Sequence, residues 1–177
     1  MEALSETLHG WQNFYFMAGG AAATLLGLMF VALSLGMHLI TEATKRQIEA
    51  FASPSVFYFA SVLFLAGVML VPAYVPLVLT LVLVVGGVLG LGRTIPSVRL
   101  LIQAARKHQD FTAADWLSQI ILPVLSYSLI LMAGIGFVVN QSTPALIALW
   151  ISTILLLLCG ITNTWSIVIW IIEQPNN

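Results

Sequence analysis

Few side chains in this sequence combine polarity with a position inside an apolar run. Among them are Thr24, Ser34 and His38 in the first run, Tyr127 in the fourth, and Thr162, Asn163 and Ser166 in the last. Hydroxyl, amide and imidazole groups of this kind can hydrogen-bond between helices, line a water-filled path or contact a ligand. They do not form a set for making and breaking covalent bonds. No HExxH, GxSxG or Walker A motif occurs, and no His and carboxylate are spaced as a pair. The single cysteine, Cys159, lies among apolar neighbours, which excludes an intramolecular disulfide and a cysteine-based metal site. No Asp, Glu, Lys or Arg stands near the centre of an apolar run; Arg93 and His38 come closest, both near ends. Ion- and proton-coupled transporters carry such groups at membrane depth, because a coupling charge must be bound and released there. The expectation is a protein that is not an enzyme and uses neither cofactor nor metal.

The spacing of these groups is ordered. In the first run, steps of four and three connect Asn13, Met17, Gly20, Thr24, Gly27, Val31, Ser34, His38, Thr41 and Lys45, which keeps them on one face of a helix in a left-handed bundle. Gly20, Thr24, Gly27, Val31, Ser34 and His38 are therefore candidates for a packing seam or a pore lining. Gly19, Ala23 and Gly27 form a second line with the small-xxx-small spacing that lets helix backbones approach closely, and Gly86 and Gly90 form a related pair. Cys159, Asn163, Ser166 and Glu173 share a stripe near the C-terminus. An unpaired Asn in hydrocarbon is costly, so Asn163 should face another helix or a cavity. Tyr127 with Ser126 and Ser128, or Tyr58 with Ser61, are the expected partners.

The elements that must position these residues follow from composition. The chain has 177 residues, 60% hydrophobic and 7% charged, with a mean hydropathy of +1.02; soluble domains carry about 25% charged residues. Lipid is the expected solvent. A net charge of −1 offers no basic footprint for nucleic acid. A span needs about 20 apolar residues, and five stretches qualify: 14–40, 54–71, 76–92, 113–139 and 144–172. The dipeptides Ser53-Pro54 and Thr143-Pro144 read as helix starts. "PAYVP" at 72–76 reads as a tight hairpin, Thr112 to Asp115 as a capping box, and Pro123 as a kink. Residues 96–108 suggest an interfacial helix, kinked or started at Pro96, with Arg99, Arg106 and Lys107 toward anionic headgroups; a solvated loop helix fits the same pattern. Trp116, Trp150 and Trp170 fall near span ends, where indoles favour the interface.

The six basic residues are Lys45 and Arg46 after the first span, and Arg93, Arg99, Arg106 and Lys107 between the third and fourth. With five spans, both groups lie on one side and no Lys or Arg lies on the other. The positive-inside rule then puts the N-terminus outside and the C-terminus in the cytoplasm. The first sixteen residues hold Glu2 and Glu6 but no basic residue, so the first apolar run reads as a retained span and not as a signal peptide. The fold class expected is an all-α, polytopic membrane protein, a single bundle of five transmembrane helices.

The segment "GAAATLLGLMFVALS", Gly20 to Ser34, preceded by "WQNFYF", resembles the first helix of a broad group of small bacterial inner-membrane proteins of unassigned function. Their pattern is near G-A-x-A-x-L-x-G-L-x-F-V-A-x-S, matched here by Gly20, Ala21, Ala23, Leu25, Gly27, Leu28, Phe30, Val31, Ala32 and Ser34. A polar residue often follows that Ser in the group, whereas Gly36 and Met37 stand here. The resemblance implies a multi-pass protein of the bacterial inner (plasma) membrane and carries no activity. Three functions fit the sequence, in this order. The first is an accessory or sensor subunit acting through helix association, with itself or another membrane protein. The second is a small oligomeric channel lined by the first helix, with Val31 as a constriction. The third is an uncoupled carrier or lipid-binding protein with a pocket near Asn163 and Tyr127.

Overall fold

The computed structural model describes residues 2–36, 42–71, 76–105, 117–139 and 141–173. It is all-helical. Helix α1 spans Glu2–Gly36, α2 Glu42–Met69 and α3 Pro76–Ala105. A π-helical turn, Leu117–Ile121, leads into α4, Leu122–Val138, and α5 spans Ser142–Glu173. Three of these contain stretches long and apolar enough to cross a membrane: Gly10–Leu35, Leu77–Ile95 and Ser142–Trp165. The apolar parts of α2 and α4, Ser53–Met69 and Leu122–Val138, are shorter.

The helices are longer than hydropathy alone implies. α1 begins at Glu2 instead of near Phe14, because "EALSETL" favours helix and continues the same rod. α2 begins at Glu42, and Pro54 lies inside it instead of starting it. "EATKRQIEAFA" is a strong helix former, and an internal proline removes one backbone bond without ending a helix whose flanks are supported. α3 likewise passes through Pro96 to Ala105. The basic segment expected from residue 96 therefore starts as a continuation of the α3 rod, and residues 106–108 lie outside the described residues. The Thr112–Asp115 box and most of "PAYVP" also lie outside them. Pro123 acts at the start of α4: the backbone widens to π geometry just before it, which shifts the carbonyl its ring would otherwise strike. The Ser142, Thr143, Pro144 start of α5 is as expected.

In space the helices run in the order α1, α2, α5, α4, α3, each packed on the next, and α5 also touches α1. The core draws on every helix: Tyr15, Ala18 and Ala22 of α1, Val62 and Leu65 of α2, Leu83 of α3, Tyr127 and Ile130 of α4, and Leu149, Leu156 and Cys159 of α5. Close approach at the seams depends on glycine. A methyl group on Gly90 of α3 would lie 2.0 Å from the Tyr127 ring, and one on Gly160 of α5 would lie 2.5 Å from Phe59. These two aromatic rings are buried because the facing helix has no side chain there.

Candidate functional site

The polar groups of the bundle converge on α2. Its Ser53, Ser55 and Ser61 each bond a different helix. Arg93 Nη2 of α3 donates to Ser53 Oγ at 2.9 Å, and Asn163 Nδ2 of α5 donates to Ser55 Oγ at 2.8 Å. Tyr127 Oη of α4 lies 3.1 Å from Ser61 Oγ. Ser61 spends its own proton on the Phe57 carbonyl at 2.7 Å, so the tyrosine is the donor in that pair. Between helices and away from water such a bond contributes about 1 kcal/mol; the Arg93–Ser53 bond is the exposed one of the three, and three along one helix also fix its rotation. Phe57 completes the cluster: its ring centre is 6.0 Å from that of Tyr127, and the Arg93 guanidinium carbon sits 5.9 Å above it, a cation–π distance.

Beside this cluster is a cleft of about 60 Å³ lined by residues of α2, α3 and α4. Ser61, Leu65, Val82, Gly86, Tyr127 and Ile130 form part of its wall. Its surface is mainly aliphatic, with the Tyr127 and Ser61 hydroxyls as the polar spot. Asn163 is not among the lining residues.

The first-helix stripe lies elsewhere. Gly20, Thr24, Gly27, Val31 and Ser34 are all exposed, Val31 at 55%, and a methyl group on Gly20 or Gly27 would meet nothing within 4 Å. The face of α1 that packs inside the chain is the neighbouring one, Tyr15, Ala18, Ala22 and Met29. Gly19 belongs to that face, where an added methyl would lie 2.9 Å from Ala66. The Thr24 and Ser34 hydroxyls donate to their own helix, at Gly20 O and Phe30 O, both at 2.8 Å. Their protons are thereby satisfied without a partner from outside.

At the other cluster, Thr162 Oγ1 bonds back to Leu158 O and Cys159 O, at 2.9 and 3.1 Å. Thr164, which the sequence reading passed over, donates to Gly160 O at 2.7 Å and lies 3.9 Å from Met29 Sδ of α1. Asn163 and Tyr127 each find a helix partner, but not each other. His38, Arg106 and Lys107 lie outside the described residues, as do the side chains of Arg99 and Ser166. Ser53, Ser55 and Arg93 were missed as a set because "SPS" reads as a helix cap. Their spacing of two and then six spreads the three serines round α2 instead of along one face, so no stripe marks them in the sequence. Among the described residues, no group of His, Cys, Asp and Glu is arranged to hold a metal ion.

Comparison of the chain with protein-family models, curated proteins and solved structures finds no match.

Proposed function

We propose that this protein is a non-enzymatic, multi-pass protein of a bacterial inner membrane that acts through helix association, as an accessory or sensor subunit. In this reading all five helices cross the bilayer, with the N-terminus outside and the C-terminus in the cytoplasm. The α4 helix and its preceding π turn form one helical run that reaches the roughly 20 residues a span needs, and α2 has a charged first third followed by an apolar remainder.

The observation that carries the proposal is the outward orientation of Gly20, Thr24, Gly27, Val31 and Ser34. An ordered small-residue stripe left uncovered by the described residues of its own chain is suited to a helix from another one, since small side chains allow the close backbone contact that drives association in lipid. That partner is a second copy or a different membrane protein. The channel reading uses the same outward stripe but needs its hydroxyls to face water. Their bonding to the α1 backbone favours a dry contact instead.

Cysteines introduced singly from position 20 to 34, with buried Cys159 left in place, test this by oxidative crosslinking in native membranes. Crosslinked dimer, or a crosslinked larger species, should peak at 20, 24, 27, 31 and 34. Uniform or absent crosslinking across the series would remove the reading. Liposome flux that appears with the purified protein and is abolished by Val31→Trp would favour the channel.

A further inference from the structure

α2 and α3 are consecutive helices, yet they do not pack along their lengths: α2 rests on α1 and α5, and α3 rests on α4. The gap between them is the cleft floored by Tyr127 and Ile130. At Gly86 the gap is open, since a methyl group there would meet nothing within 4 Å. Arg93 is not in the cleft wall; it stands about 10 Å beyond Gly86 along α3 at 1.5 Å per residue, near the limit of the apolar stretch Leu77–Ile95, which is the depth at which headgroups lie. Its guanidinium is fixed between the two helices by Ser53 and the Phe57 ring. It is exposed. Phe57 links the two ends of the feature, touching Arg93 on one side and Tyr127 on the other.

From these observations we propose that the α2–α3 gap is a lateral binding site for one anionic phospholipid, its phosphate on Arg93 and an acyl chain along the cleft over Tyr127 and Ile130. A guanidinium presents five donors in a planar fork that matches a phosphate, and one of them is engaged by Ser53. The rise from Arg93 to Val82 is about 16 Å at 1.5 Å per residue. That is close to half the roughly 30 Å hydrocarbon thickness, the depth one leaflet's chain fills. An apolar slot of this shape left empty would forfeit dispersion contacts along its whole wall, and a basic pocket between helices at headgroup level selects anionic lipid over zwitterionic. The site does not depend on association through α1.

Native mass spectrometry of the full-length protein in detergent, titrated with phosphatidylglycerol or with phosphatidylcholine of the same acyl chains, provides the test. Wild type should retain phosphatidylglycerol about fivefold better. Arg93→Gln should erase that preference, and Arg93→Lys should keep most of it. Gly86→Leu, placed in open space, should weaken retention of both lipids while leaving the melting temperature unchanged. Equal retention of the two lipids by wild type overturns the proposal, as does an Arg93→Gln variant that keeps the wild-type preference or a Gly86→Leu variant that binds both as before. Should Arg93→Gln fail to fold, the Lys and Gly86 variants decide the question in the same terms.

Discussion

At the α3–α4 seam a methyl group added to Gly90 would sit 2.0 Å from the Tyr127 ring, whereas one added to Gly20 on the outer face of α1 would meet nothing within 4 Å. Both regions are rich in small residues, and both show the three- or four-residue spacing of close helix contact. At the seam the missing side chains are filled from within the chain: Gly87 lies against Leu131, and Gly134 against Val84 and Leu83. On α1 a methyl group on Gly20 or Gly27 would meet no described residue within 4 Å. Small residues in a membrane helix thus permit close approach, and only at the α3–α4 seam is the approaching helix one of the described helices of this chain.

The largest effect is expected where the comparison is sharpest. Gly90→Ala should destabilise the protein by about 3 kcal/mol, the upper end of the cost of overpacking, because the Tyr127 ring must leave its place and take the Ser61 bond with it. Thermal unfolding in detergent reads this directly, and a wild-type melting temperature would show that the seam is looser than the geometry. Next comes Asn163→Ala, which removes a link between α5 and α2 and should cost about 1 kcal/mol in the same assay. The smallest change in chain stability belongs to the paired substitution Gly20→Leu and Gly27→Leu, within about 0.5 kcal/mol of wild type. The same pair should abolish the periodic α1 crosslinks. A large loss of monomer stability from that pair would erase the distinction between the two regions.

Much of the helix content was legible in the sequence, since long apolar runs in a chain with so few charges have few alternatives. The stripe on α1 was legible as a stripe, but its direction was not. In a soluble protein, polarity marks the outside of a helix; in lipid, the outside is as apolar as the core, so Phe16, Leu28 and Phe30 are as exposed as any surface residue and give no contrast with buried Met29. Asn163 was legible as a group in need of a partner because burial of an unpaired amide is costly. Its partner, Ser55, was hidden by the resemblance of Ser53-Pro54-Ser55 to a helix start. Helix ends were misjudged where hydropathy and helix propensity disagree, as at Glu2 and Glu42, because a helix continues into water wherever its residues favour it.

The packing order also has a consequence for biosynthesis. α1 with α2, and α3 with α4, are two pairs of neighbours in sequence that also pack together, and α5 is the helix that packs on a member of each. A ribosome releasing the chain from its N-terminus can therefore complete both pairs while they still drift as separate hairpins. Only with the last helix do Leu146, Leu149 and Leu156 arrive to weld them, so a nascent or truncated chain lacking residues 142–173 would hold two half-assemblies for the cell's membrane proteases to find.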